Sequence, residues 1–393
     1  MNEQPWNRSY ARRAALRRLA AFLGAAPLLA GQQDPFRDHS RVPRLDELLT
    51  AFDFEPVAFA NLPRLAYDYT AYGVEGEFTL RRNRDAFAWV DLIPRGSTAS
   101  QADTSLELFG KRLNFPILVA PTAGHAQLHP DAESATYAGA TKAAKTTMIV
   151  SNVASMTVPK IAAAAKGNLW WQLYPRPDLD DSRSLLDTAQ ANGAQAIVVT
   201  IDQQAPYYER ALHDRNLGQR TQTSGRIRVG AAPNPYRVVT NRMWYTWSYF
   251  DSIRPMIKVP LLAKGVLTAE GAALCVEHGL DGIVVSNHGG RGMDYSPSTL
   301  EVLPEIVAAV RGRIPVLIDS GFRSGDDILK ALALGAKAVC LGRVPRWGLG
   351  AFGAEGVERV LRIMQRELAQ SMSRNGCPSI ASINRKLVRT DFR

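Results

Sequence analysis

From Pro116 onward the chain changes pattern block by block. Short apolar runs rich in β-branched residues alternate with longer stretches whose apolar positions recur at helical spacing. The apolar runs are Pro116–Ala120, Met148–Ser151, Leu169–Tyr174, Ala196–Asp202, Pro260–Gly265, Gly282–His288, Pro315–Gly321 and Ala338–Gly342. Between and after them the helical pattern occupies Ala132–Ala144, Val158–Ala165, Ser182–Asn192, Ala269–His278, Pro297–Val310, Gly325–Leu334 and Ala354–Ser371. This alternation predicts a parallel α/β fold, a (β/α)8 barrel of the TIM type, with a doubly wound sheet as the alternative, because periodicity alone does not close a barrel. Before Pro116, the spacing of Leu45, Leu48, Leu49, Phe52, Phe59 and Leu62 predicts an N-terminal helical extension over residues 41–115, with a short irregular or hairpin segment. The rhythm breaks once, at Leu217–Val259, an aromatic and Pro- and Arg-containing insertion between strands four and five. A loop of that length reads as a lid or a disordered segment.

Polar residues gather where the apolar runs stop. The strand ends carry Pro121-Thr122-Ala123, Ser151, Gln172 and Tyr174, Thr200 and Asp202, Lys264, Ser286 and His288, Asp319 and Arg323, and Gly342-Arg343. In a (β/α)8 barrel these ends converge on one mouth, where active sites lie. The loops after strands seven and eight, with Gly321, Arg323, Gly342 and Arg343, suit a phosphate. Lys264 closes a run that is otherwise apolar from Val259 to Ala263, a place for a Schiff base or for stabilising a negative heterocycle. The stretch from Ile283 to Asp294 runs from three apolar residues straight into Ser286-Asn287-His288-Gly289-Gly290-Arg291. Its histidine can exchange a proton near neutral pH, its arginine offers a fork for a carboxylate or phosphate, and its glycines permit a sharp turn and the close approach of a ligand.

Composition narrows the classes. The chain has 393 residues, 46% hydrophobic, enough for one large α/β domain or two smaller ones. The formal charge is +10, of which Arg8, Arg12, Arg13, Arg17 and Arg18 against Glu3 supply +4, leaving about +6 over the remainder. With no basic run there, nucleic acid is not an expected partner, and an anionic small molecule is. The three cysteines suggest neither a disulfide framework nor a metal site. His125 and His129 have H-x3-H spacing without a carboxylate cluster and read as polar loop residues, so no metal is expected. Gly348 to Gly353 matches a dinucleotide fingerprint in form, but a turn starting a helix after strand eight accounts for it better. No apolar run is long enough for an integral membrane segment. Residues 1–31 resemble a twin-arginine export signal, with Arg12-Arg13 ahead of the apolar run Leu19–Ala30. The expected location is therefore periplasmic, with a basic amphipathic helix on a cytoplasmic protein as the alternative.

The ordered motifs resemble those of FMN-dependent 2-hydroxy-acid oxidases and dehydrogenases, such as glycolate oxidase and L-lactate dehydrogenase. The resemblance runs from about Leu45 to Cys377 and rests on Ala120-Pro121-Thr122-Ala123, Gln172-Leu173-Tyr174, Thr200-Ile201-Asp202, Lys264-Gly265-Val266, Ser286 to Arg291, and Asp319 to Arg323. With the signal-like segment over 1–31 set apart, the expected organisation is one catalytic barrel domain over 41–377 and a C-terminal tail over 378–393. The resemblance implies FMN held by Pro121, Thr122, Ala123, Ser151, Gln172, Thr200, Lys264 and Ser286, with its ribityl phosphate near Asp319, Gly321, Arg323, Gly342 and Arg343. It further implies that Tyr69, Arg210 and Arg291 grip the substrate carboxylate and that Tyr174 reaches the substrate oxygen. His288 would be the base, with Asp202 holding the imidazole and raising its proton affinity. The electron acceptor would be O2, a quinone or a cytochrome, and the assembly a homotetramer. Gln203-Gln204 stand where many relatives have Thr-Pro, Val153 where a tryptophan is common, and Arg210 aligns only with one inserted residue before it; these departures bear on the substrate. Rival readings are an FMN-dependent isopentenyl diphosphate isomerase, and a flavin-binding barrel without this reaction.

Overall fold

The computed structural model describes residues 42–94, 101–176, 178–202 and 246–392. The expected signal segment lies outside the described residues, and the fold belongs to the unit Arg44–Arg393. Three short strands precede the barrel: β1 (Val90–Leu92), β2 (Leu106–Leu108) and β3 (Lys111–Leu113). The barrel strands follow as β4 (Ile117–Val119), β5 (Thr147–Ser151), β6 (Leu169–Leu173), β7 (Ile197–Thr200), β8 (Leu261–Val266), β9 (Gly282–Val285), β10 (Val316–Ile318) and β11 (Ala338–Leu341). They close a parallel barrel in sequence order, with β10 pairing β9 on one side and β11 on the other. Each predicted strand is present, mostly trimmed at its ends, and closure excludes the doubly wound sheet.

Period-two alternation decides which side chains fill the lumen. Leu118, Ile149, Trp170, Val198, Leu262, Val284, Leu317 and Cys340 form an inner cluster, while their neighbours, such as Ile117, Val150 and Trp171, pack outward with the helices. The antiparallel β2–β3 hairpin contributes Leu106, Leu108 and Leu113 to the inner cluster. Its Phe109 ring lies 5.7 Å from that of Trp170 and against Gly282, both near the starts of their strands. The hairpin thus plugs the bottom of the barrel.

The N-terminal helices cover the mouth. Phe54–Asn61 and Arg64–Ala71 precede a helix at Phe78–Asp85, whose first-turn amide, Thr79 N, donates to Asp294 Oδ1 at 2.9 Å. Arg82 makes a bidentate pair with Glu301, at 2.7 and 2.8 Å, and Arg84 pairs with Asp327 at 2.6 Å. The insertion after strand four is partly described: a helix at Trp247–Ile253 leads into the 3-10 turn Arg254–Met256. The segment expected as a tail returns to the body, where β12 (Val388–Thr390) pairs antiparallel with β1. Gly348 to Gly353 lie inside a helical stretch, Arg343–Arg374, interrupted at Phe352 and Gly353, so Gly348 and Gly350 sit in a first helical segment and Gly353 stands at the turn from which the second begins.

Candidate active site

The centre of the mouth is a buried chain of charges. Lys264, at the fourth position of β8, donates from Nζ to Ser286 Oγ at 2.8 Å and sits 3.4 Å from Asp319 Oδ2 and 3.8 Å from Asp202 Oδ2. Asp202 Oδ1 pairs with His288 Nδ1 at 2.8 Å. The strands supply this order directly: Thr200 of β7 stands opposite Lys264 of β8, which stands opposite Val284 of β9, two residues before Ser286. A register break between Lys264 and Val266 leaves Gly265 at φ 110°, where an added Cβ would come within 2.6 Å of Asp202. Here a glycine is needed for Asp202 to sit beside the lysine at all.

Electrostatics set the resting protonation. Burial disfavours the Lys264 charge, but the Asp202 and Asp319 carboxylates outweigh it and hold the ammonium above its ordinary value. Burial likewise opposes ionised Asp202, yet Lys264 and His288 keep its carboxyl below the usual range. For His288 burial acts first, and with Lys264 and Arg291 it outweighs the pull of Asp202, so the imidazole is held below its ordinary value. The expected upward pull of the aspartate exists but loses. The histidine is therefore neutral near pH 7, and the Asp202 carboxylate draws the proton to Nδ1, leaving Nε2 as the acceptor.

The loop after β9, the candidate catalytic loop, is turned by three successive left-handed residues, His288 (φ 59°), Gly289 (φ 69°) and Gly290 (φ 75°). A Cβ on Gly290 would meet Leu80 N at 2.7 Å, and Gly290 O accepts from Val74 N at 3.0 Å. The close approach expected of a ligand is made at Gly290 by the protein's own N-terminal helix, and at Gly289 by the Arg343 guanidinium. Gly290→Ala should therefore lift the loop from the helix and cost about 1–3 kcal/mol in chemical denaturation. A variant as stable as the parent would show that this contact is dispensable. Asn287 and Asn83 exchange amide hydrogen bonds at 2.7 and 2.9 Å, locking the loop to the helix Phe78–Asp85. Asn83 was not among the sequence-derived candidates, since nothing local marks a partner 204 positions away.

Tyr69 and Arg291, both expected at the substrate carboxylate, lie side by side. The Arg291 guanidinium lies 4.7 Å from the Tyr69 ring centroid and donates to Tyr69 O, and to Tyr72 O at 3.3 Å. Tyr174 follows the end of β6, half-buried, and Arg210 lies outside the described residues. Arg343, expected at the phosphate, directs its donors to Thr70 O (2.9 Å), Gly289 O (3.0 Å) and Tyr72 O (3.3 Å), tying the N-terminal helices to the catalytic loop. Arg323 donates to Phe322 O at 2.9 Å in the loop after β10, beside Gly321 at φ 86°. Ser320, also left-handed at φ 80°, donates to Asp319 Oδ1 and accepts from Gly289 N. His125, expected as a polar loop residue, is 1% exposed and bonds Thr122 Oγ1 at 2.7 Å and Thr136 Oγ1 at 2.8 Å. Burial, with Arg346 adding to it, holds it well below its ordinary value, so it is a neutral core residue backing Thr122. Among the described residues no cluster of His, Cys, Asp or Glu is arranged to hold a metal.

Whether these residues fit a flavin can be asked of the polar atoms they leave over. Gln172 accepts through Oε1 from Ser151 Oγ at 3.1 Å and from Asn152 N at 3.3 Å, while its buried Nε2 has no hydrogen-bond partner among the described residues. A buried amide donor without an acceptor is costly unless a ligand supplies one. Gln172 Nε2, beside the Lys264 ammonium at the same mouth, thus suits an acceptor-rich, charge-accepting group, as an isoalloxazine is.

A family model described as FMN-dependent dehydrogenase matches residues 58–390. The chain is 37% identical over 358 residues to a peroxisomal (S)-2-hydroxyacid oxidase of Arabidopsis thaliana, covering 88% of this chain and 98% of that one. It is 39% identical over 350 residues to 2-hydroxyacid oxidase 2 of Homo sapiens, covering 87% and 98%. Among solved structures it resembles a mandelate oxidase, at a TM-score of 0.79 and 34% identity over 88% of this chain and 99% of that one. It also resembles a mutant of an active chimera of (S)-mandelate dehydrogenase, at 0.78 and 33% over 88% and 100%.

Proposed function

The chain belongs to the FMN-dependent dehydrogenase family, and from that premise we infer that the barrel mouth oxidises an L-2-hydroxy acid to the 2-oxo acid, with His288 taking the substrate proton. The observation that carries the reading is the buried Asp202–His288 pair beside Lys264, with Arg291 and Tyr69 on the adjoining loop and helix. FMN, when bound, supplies the two-electron acceptor. Gln172, Ser151, Thr200 and the turn at Pro121-Thr122-Ala123 would hold it, and Lys264 would place a fixed positive charge beside it, where developing negative charge is stabilised. Arg291 and Tyr69 orient the substrate by its carboxylate, which brings the 2-carbon and its hydroxyl toward His288 Nε2. Asp202 then stabilises the imidazolium once the proton has arrived.

The test is the visible spectrum of the purified protein followed by anaerobic addition of L-lactate, glycolate and L-mandelate in turn. A flavin spectrum bleached by one of them is the expected result; a flavin that none bleaches would sink the assigned reaction. The oxidase relatives support molecular oxygen as the acceptor, so readmitted air should restore the colour within seconds. Export of the chain through residues 1–31 and assembly as a homotetramer belong to the same reading. They are checked by fractionating producing cells and by light scattering, and a cytoplasmic monomer would refute both.

The pH dependence follows from the depressed His288. The base must be neutral, so the bleaching rate should be flat near pH 7 and fall as pH drops through a value below the ordinary ~6.5 of histidine. Asp202→Asn removes the one group that pulls His288 upward. Its inflection should move to still lower pH, and its plateau rate should drop about 10²-fold or more because the imidazolium loses its partner. An inflection that moved upward would show that Asp202 does not act through the histidine.

A further inference from the structure

The helix that follows β11 begins Arg343-Val344-Pro345-Arg346, and its second arginine is the less expected one. Arg346 is 3% exposed, in the first turn of a helix, where the dipole disfavours a cation. A guanidinium is costly to bury, and one buried at a helix N-terminus needs firm anchoring. Its Nε donates to Thr70 Oγ1 at 3.0 Å and Nη1 to Ala123 O at 2.6 Å, joining the N-terminal helix Arg64–Ala71 to the turn that closes β4. Its guanidinium carbon lies 5.4 Å from the centroid of the Tyr69 ring, the same ring that Arg291 approaches at 4.7 Å. One aromatic ring thus carries two guanidinium contacts, one from the catalytic loop and one from the helix behind it, and each such contact restrains the ring.

We propose that Arg346 is a positioning residue for the substrate carboxylate: it holds Tyr69 against Arg291 and adds a fixed positive charge behind the carboxylate subsite. The inference rests on the reading that Tyr69 and Arg291 receive that carboxylate. Arg346 does not touch the reacting atoms. It acts by removing the freedom of the ring and by keeping the local potential positive before the anion arrives, so no reorganisation is needed on binding. Its loss should weaken the binding of any 2-oxo or 2-hydroxy monocarboxylate without altering the proton transfer at His288.

The test titrates the full FMN-loaded chain with pyruvate, read through flavin absorbance, and repeats the titration on flavin-free protein by calorimetry. Arg346→Met should weaken pyruvate about 10-fold or more, Arg346→Lys should stay within about 3-fold, and in a Tyr69→Ala background Arg346→Met should cost clearly less than it does in the parent, leaving only the share due to charge. The pH inflection of bleaching should stay in place in Arg346→Met, since His288 is not the group affected. Should the methionine variant fail to fold, Arg346→Gln, which keeps a donor toward Ala123 and loses the charge, is read against the same expectations. Unchanged pyruvate binding in a folded, charge-free variant would overturn the proposal. So would an equal loss with and without Tyr69, or a wild-type chain that does not bind pyruvate. Bleaching of the wild type by a hydroxy acid is scored separately: its absence sinks the assigned reaction, while bleaching together with an inert Arg346 sinks only this role.

Discussion

Replacing His288 with alanine should leave flavin bound and the fold intact, and slow anaerobic bleaching by the hydroxy acid by about 10³- to 10⁴-fold. The geometry separates the two outcomes. The His288 imidazole bonds Asp202, whereas the Lys264, Ser286, Gln172 and Ser151 contacts that shape the flavin cradle do not pass through it. The backbone at His288 is left-handed, and alanine is strained there as histidine already is, so the loop keeps its course. The alanine variant should also lose the acid limb of the pH profile, since the group that titrates is gone. Bleaching at a rate near the parent's would show that another group takes the proton.

The second large effect is expected at Lys264. Its ammonium is the cation shared by Asp202 and Asp319, at 3.8 and 3.4 Å, with a side chain 4% exposed. Lys264→Met leaves two buried carboxylates facing an apolar stem, which should cost about 3–5 kcal/mol of stability. The loss has a pH signature. Against the opposing effect of burial, Lys264 first and His288 second hold Asp202 below its ordinary value. Such a group adds stability above the unfolded carboxylate value and loses it as pH falls through the depressed one. Without the lysine the larger part of this contribution is lost, so the variant and the parent should converge in acid and diverge toward neutrality. Urea denaturation at a series of pH values checks this. A constant gap at every pH would mean that packing rather than charge had been removed. The same variant should bind FMN more weakly, a result that a purely structural lysine would not require.

Much of the fold was legible because each barrel strand is an apolar run that stops at a polar residue, although most of the expected strands ran past the true ends by one to three residues. Ile283 to Val285 cannot continue into Ser286-Asn287-His288 without leaving the apolar wall, and the same holds at Val199-Thr200 and Ile318-Asp319. Where a polar residue ended an apolar run, it proved to stand at the mouth, and Lys264 is the clearest case. What remained hidden was pairing at long range. Asn83 with Asn287, and Arg346 with Thr70 and Ala123, are contacts between distant elements, and neither carries a local periodicity that would announce it. Arg343 was legible as a strand-end arginine, but not its engagement by three backbone carbonyls of the N-terminal helices and the catalytic loop. His125 was legible as a loop residue but not as a buried one, since only the fold puts Thr122 and Thr136 on either side of it.

The pairing of β1 with β12 has a bearing on how the molecule is made. Val90 to Leu92 find their hydrogen-bond partners only at Val388 to Thr390, and Ile93 N, Asp103 N and Asp391 N add bonds between the same two regions. Strands of the barrel can assemble in the order in which they leave the ribosome, but Val90 to Leu92 lack this partner until residues 388–390 have been made. The arrival of this late segment therefore acts as a timer on maturation. A nascent chain stalled before residue 388 should hold a formed barrel with β1 unpaired, open to protease around residues 90–94, and extension past residue 390 should close that window.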